Sequence, residues 1–236
     1  MFSKACQIVR EYTYGFMGAS VVTNDGTKST VNITNGTAFM VSPGYLLTAA
    51  HGVHQNSNKS NPTHQSFEII RTPDIGGKMQ KAIFVAEDVS QDIALLRIED
   101  SENNHTASLV DSIIPRGTNC GFLGFPLANV QFSQDGSRRF NLTERFQGAY
   151  ISSYVEQIKD DDTKQAFYEI DSLMYSGSSG CPAFTIEGRV IGMQVASIMH
   201  KQKDEDKAER IAISIVIPSS ELIKFLKAQG ILTEVL

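Results

Sequence analysis

Cysteine is scarce in this chain: Cys6, Cys120 and Cys181 are the three among 236 residues. An odd set cannot pair completely, and secreted scaffolds that lean on disulfides carry more, so free thiols in a reducing compartment are expected. Positive charge is not in excess either. With Lys+Arg 21 against Asp+Glu 26, the formal net charge is -5. That excludes a basic face for nucleic acid, because Arg138-Arg139 and the lysines of 201–207 form clusters too short and too mixed in sign. No run approaches the 18 or so apolar residues of a membrane span, and no apolar signal core lies between Lys4 and Gly15. The expectation is a cytoplasmic protein with neither membrane nor nucleic acid as partner. Metal motifs are missing as well. His51 and His54 lie three apart, but without a His-Glu-x-x-His pattern or a cysteine pair no metal or cofactor is expected, and His54 reads as a surface histidine.

What is present is a series of short strands. Hydrophobic content of 41% with 20% charged residues is ordinary for a chain that buries a sizeable core. Strands are expected at 19–23, 30–34, 36–41, 45–48, 67–71 and 81–86, then at 120–124, 146–155, 166–170, 183–186, 189–198 and 211–217. Turn signals separate them at 24–26, 42–44, 160–162 and 187–188, and polar loops are expected at 54–66, 99–108, 131–141 and 200–209. His64, His105 and His200 fall in such loops and carry no signal of their own. Ser219 or Ser220 caps a closing helix that Gly230 stops, and residues 1–14 read as a short helix or arm. Strands this short and frequent argue for an all-β barrel or sandwich in a single unit of 1–236.

The chemistry gathers in Asp171-Ser172-Leu173-Met174-Tyr175-Ser176-Gly177-Ser178-Ser179-Gly180-Cys181-Pro182. Its Gly-x-Ser-Gly-x-Pro core puts Ser179 in a tight turn where backbone amides can converge on a reacting oxygen. A serine hydroxyl needs a base, and the base an orienting group. His51 ends Leu46-Leu47-Thr48-Ala49-Ala50-His51, and Asp92 opens Asp92-Ile93-Ala94-Leu95-Leu96. With glycine at about 7% and proline at about 5% of residues, the serine motif alone arises by chance in well under about one in a hundred such chains.

On these residues the chain resembles the trypsin/chymotrypsin superfamily of serine peptidases, and most of all the HtrA/Deg-type protease domain. The resemblance implies two six-stranded antiparallel β-barrels, at about 15–110 and 111–217, with a C-terminal helix at about 219–229. It implies Ser179 as nucleophile, His51 as base and Asp92 as its orienting carboxylate, with the N–H groups of Gly177 and Ser179 as oxyanion hole. It also assigns the specificity pocket to Leu173 at the base and to Val195, Ala196 and Ser197 on the wall. Leu173 offers no carboxylate to a substrate Lys or Arg, so a modest apolar side chain is expected there. Cys181 stands where glycine is commoner and is read as a small buried residue. No Ile-Val-Gly-Gly start is present, so loop ordering is expected from other contacts, with a regulatory protein as one source. The substrate implied is a protein or peptide. A silent peptide-binding barrel is the alternative, and an esterase is disfavoured because no strand-to-helix Gly-x-Ser-x-Gly elbow is present.

Overall fold

Six antiparallel strands follow one another from Thr13: β1 (Thr13–Asn24), β2 (Lys28–Ser42), β3 (Tyr45–Ala49), β4 (Ser66–Ile70), β5 (Met79–Asp88) and β6 (Ile93–Arg97). The computed structural model describes residues 2–24, 28–72, 77–99, 103–132, 138–158, 164–201 and 208–236. The six strands pair in the order β1-β2-β3-β6-β5-β4, and β4 returns to β1 through Gly15↔Ile70 to Ala19↔Ser66. Closing the ring leaves no unpaired edge, and its inward side chains, Phe39, Leu47, Ile69 and Leu95 among them, are buried.

The first strand starts earlier than its pattern suggests. It runs for 12 residues from Thr13, whereas alternation predicts only 19–23, because Gly15 and Gly18 hide the apolar period of the first half. Pairing with β2 over the whole length, from Thr13↔Phe39 to Asn24↔Lys28, supplies what local propensity lacks. Ahead of it, residues 1–14 do contain a helix, α1 (Ser3–Val9), followed by a 3-10 turn at Arg10–Tyr12. Phe2 lies against Phe146 and Phe184, with ring centroids 5.3 and 5.9 Å apart, and so straps this arm to the second half of the chain.

That half contains β7 (Ser108–Leu109), β8 (Asn119–Gly124), β9 (Asn129–Phe132), β10 (Arg138–Asn141), β11 (Arg145–Ile158), β12 (Lys164–Ile170), β13 (Pro182–Phe184), β14 (Val190–Lys201) and β15 (Ala208–Pro218). Its sheet order β13-β8-β11-β12-β15-β14 is closed by a further β13–β14 pairing, Pro182↔Met193, which makes a second six-stranded barrel. β7 joins β14 in parallel, and the C-terminal β16 (Glu234–Val235) joins β7. Between β15 and β16, α3 (Ser219–Ala228) buries Leu222, Ile223, Phe225 and Leu226, and Gly230 beyond it has φ +70. This is a chymotrypsin-like fold. One apolar cluster fills the first barrel and continues through Leu123, Phe184, Met193 and Ile217 to α3, so core packing crosses the cleft between the barrels.

Two expected loops turn out differently. Within 131–141, β9 and β10 pair as a two-stranded ribbon, Arg138↔Phe132 to Asn141↔Asn129, because cross-strand bonds need no apolar face to form. Within 54–66, a 3-10 turn occupies Gln55–Ser57 while His54 and His64 are buried. The turn signals at 24–26 and 160–162 fall wholly or largely outside the described residues, as does most of the charged loop at 200–209.

Candidate active site

β3 and β6 are antiparallel neighbours with Ala49 opposite Ile93, so the residues just past one strand and just before the other meet at one end of the first barrel. These are His51, in the single helical turn α2 (Ala50–Val53), and Asp92. Asp92 has φ +62, a left-handed conformation that aspartate tolerates better than most residues. Its backbone carbonyl accepts the Ala50 N–H at 3.1 Å, and its Oδ1 accepts the His51 N–H at 2.8 Å. Its Oδ2 lies 2.8 Å from His51 Nδ1. With Nδ1–H committed to the carboxylate, neutral His51 carries its free lone pair on Nε2, which has no hydrogen-bond partner among the described residues. Burial pushes the Asp92 carboxyl up, but the His51 hydrogen bond, the His51 charge and Lys59 together hold it below its ordinary value.

Ser179 sits in a turn bracketed by Gly177 (φ +93) and Gly180 (φ +86). Both glycines are demanded by close backbone approach as well as by φ. A Cβ at Gly180 would overlap the Thr37 carbonyl, and one at Gly177 would stand 2.6 Å from the Phe125 carbonyl oxygen. The Ser176 carbonyl accepts the Leu127 N–H at 2.7 Å. Across a trans peptide C=O and N–H point oppositely, so the Gly177 N–H is turned away from Leu127. Neither the Gly177 nor the Ser179 N–H finds an acceptor among the described residues, which leaves two donors free beside the serine. The Ser179 hydroxyl itself donates to the Val195 carbonyl at 3.4 Å.

Thr37 of β2 ties the two barrels together here, and nothing in Gly36-Thr37-Ala38-Phe39 announces it. Its N–H donates to the Ser179 carbonyl at 2.8 Å, and its hydroxyl donates to the Gly177 carbonyl at 2.9 Å. The same hydroxyl accepts the Phe125 N–H at 3.0 Å, while the Thr37 carbonyl accepts the Thr48 hydroxyl at 2.8 Å. Thr48 is three residues before His51, so this chain of bonds sets the serine turn against the strand that delivers the histidine. Leu127 is the other residue the sequence hid. It adopts φ +61, rare for leucine, to aim its N–H at the turn.

Of the expected pocket residues, Leu173 lines an open cleft of ≈ 520 Å³ together with Leu127, Phe146, Gln147 and Tyr175. Val195 is buried and gives its carbonyl to Ser179, Ala196 is exposed, and Ser197 donates to the Met174 carbonyl at 3.2 Å. Ser214 reinforces that edge by donating to the Ser172 carbonyl at 2.6 Å. Cys181 is buried, and burial pushes its thiol well up, which fits an inert side chain. All three cysteines are free thiols.

The two histidines near the site are not surface residues. His54 Nε2 lies 2.8 Å from Glu87 Oε2 and its Nδ1 2.6 Å from the Asn61 carbonyl. His64 Nε2 lies 3.0 Å from the Thr34 hydroxyl, which donates to the Gly52 carbonyl at 2.5 Å, and its Nδ1 lies 3.1 Å from the Ser20 hydroxyl. Since Thr34 donates onward, it accepts from Nε2–H, leaving Nδ1 as acceptor and the ring neutral. Burial and the nearby His54 charge push His64 down to about 4. Polarity of 54–66 pointed to solvent, which holds for most of the segment, but His54 and His64 are buried and bond to Glu87, Thr34, Ser20 and the Asn61 carbonyl.

A family model described as the trypsin-like peptidase domain matches residues 36–193. Among curated proteins the chain is similar to "Serine protease HTRA2, mitochondrial" of Bos taurus, at 27% identity over 201 residues, covering 83% of this chain and 36% of that protein. It therefore spans about a third of the length of the curated relative it matches. Solved structures with the same fold include the HtrA-type protease AlgW with a decapeptide, at TM-score 0.73, 18% identity and coverage of 98% of this chain and 68% of that one. They also include the Rv3671c protease from M. tuberculosis in its active form, at TM-score 0.67, 17% identity and coverage of 97% and 85%. With two thirds of its length matched by that family and its barrels laid out as in HtrA-type proteases, the chain belongs to the trypsin-like peptidase family.

Proposed function

We propose that the chain is a serine endopeptidase in which Ser179 attacks the scissile carbonyl, His51 Nε2 takes the hydroxyl proton and returns it to the leaving amine, and Asp92 holds the imidazole and stabilises its charged form. The observation that carries this reading is the two-point grip of Asp92 on His51, which leaves Nε2 as the unclaimed base. The free Gly177 and Ser179 amides stand beside the nucleophile to meet the oxyanion, where one such donor is worth about 3 kcal/mol of transition-state stabilisation. The substrate is a protein or peptide, in keeping with the peptides bound to the HtrA-type neighbours. An apolar P1 side chain follows from Leu173, which brings no charge to the pocket. One methylene in such a pocket discriminates by only about 1 to 3 kcal/mol, so selectivity is broad.

One observation favours a silent peptide-binding barrel: the Ser179 hydroxyl rests on the Val195 carbonyl and not on the imidazole. A rotation about the serine χ1 is all that separates that rotamer from another, and the apo state of such sites often has loose geometry. Labelling with a fluorophosphonate decides between the two. The native protein is expected to label and Ser179→Ala to lose labelling and peptide hydrolysis by about 10³-fold or more. Folded native protein that resists the probe would remove the enzyme reading.

A further inference from the structure

Asp92 has a neighbour that the triad chemistry does not call for. Lys59, in the polar segment between α2 and β4, places Nζ 3.5 Å from Asp92 Oδ1 and is held there by donating to the Val89 carbonyl at 3.0 Å. The lysine side chain is 33% exposed and the aspartate side chain 12%, so the cation reaches from the rim onto a largely buried carboxylate. Oδ1 is thereby shared between the His51 N–H and the ammonium, while Oδ2 faces the imidazole.

Of the other charged residues at this end, Glu87 and Asp88 have partners of their own. Glu87 on β5 is paired with His54 at 2.8 Å. Asp88 accepts from the Ser90 hydroxyl at 2.6 Å and the Gln91 N–H at 3.0 Å. Lys164 of β12 meets this end through its carbonyl, which accepts from Gln91 Nε2 at 3.0 Å.

Resting on the reading of Ser179, His51 and Asp92 as a triad, we propose that Lys59 is a positioning residue acting through Asp92, its charge setting how firmly the carboxylate holds a protonated His51. An ammonium beside the carboxylate cancels part of the field that favours imidazolium and repels the imidazolium directly, so His51 sheds its proton more readily. The free base then persists to lower pH. At the same time the ammonium keeps the half-shielded carboxylate ionised and pinned for its two bonds to His51.

The test uses Lys59→Gln and Lys59→Arg in the full chain, each with and without Ser179→Ala. In the Ser179→Ala background the His51 ring is titrated by NMR, its resonance assigned by its loss in His51→Gln. Lys59→Gln is expected to move the titration midpoint to higher pH by about half a unit to one unit, less in 1 M salt, with Lys59→Arg close to the parent. With Ser179 present, the acid limb of the fluorophosphonate labelling rate moves the same way, and the high-pH plateau changes less than about threefold. A midpoint unmoved in Lys59→Gln, or moved equally in Lys59→Arg, overturns the proposal. The NMR arm needs no turnover. A shifted midpoint in a protein that never labels would uphold the hold of Lys59 on His51 and sink the peptidase reading alone.

Discussion

Replacing Thr37 with valine keeps the β-branched shape and removes one oxygen at the junction of the two barrels. That oxygen donates to the Gly177 carbonyl at 2.9 Å and accepts the Phe125 N–H at 3.0 Å, and Thr37 is wholly buried. Two backbone groups lose their partner where water does not reach them, at about 1–3 kcal/mol each. Partial relaxation brings the expected loss to about 2–5 kcal/mol, or about 5–15 °C in melting temperature for a chain of this size. Catalysis should suffer for a separate reason. The Gly177 carbonyl is one end of the peptide unit that follows the Gly177 N–H, the donor proposed to meet the oxyanion, and once released it lets the turn rotate. Since losing one donor outright costs about 10²–10³ in kcat, loosening it should cost about 10–100-fold, with KM changed by less than about threefold. Thermal unfolding and fluorophosphonate labelling rates measure the two effects separately. Thr37→Ser is the control: it keeps the hydroxyl, loses about 1 kcal/mol with the methyl, and should label near the native rate. A valine variant that labels within twofold of native, or a serine variant as slow as valine, would refute the role assigned to the hydroxyl.

Two further outcomes follow from the geometry. Gly177→Ala places a Cβ 2.6 Å from the Phe125 carbonyl at φ +93, which costs about 1–2 kcal/mol of strain and should cut the labelling rate by about 100-fold; a rate within threefold of native would show that this amide is not used. His64 is held neutral, with its folded value pushed down to about 4 against the ordinary 6.5, so protonation favours the unfolded chain. The stability this contributes is complete above about pH 6.5 and is lost as pH falls toward 4. Between pH 7 and pH 5 the native protein should lose about 1–2 kcal/mol more, by urea unfolding, than His64→Gln does, and parallel curves would contradict the buried neutral ring.

How much of this was legible in the sequence differs by residue. His51, Asp92, Ser179, Gly177 and Gly180 lie in short local motifs, because a turn that must run at positive φ, or a residue set just past or just before a strand, leaves its mark on immediate neighbours. The strands of the second barrel were legible locally as well, β12 by its alternation and β8 and β13 as short apolar runs buried on both faces. The first half of β1 was not, since Gly15 and Gly18 erase the period there and only pairing with β2 makes it a strand.

What the sequence alone determined is therefore the chemical inventory and the all-β architecture: alternation with a period of two, glycines where the backbone crowds, and apolar runs that border His51 and Asp92. What only the tertiary structure decided is how that inventory is held. Thr37 grips a turn 140 residues away, Lys59 leans on Asp92, Leu127 turns its N–H to Ser176, and His54 and His64 go under the rim. Each of these is a polar contact between distant segments, and a hydrogen bond between strangers in sequence changes neither the periodicity nor the composition of either one. Such contacts come into being only when closing two barrels brings their strand ends to a common cleft.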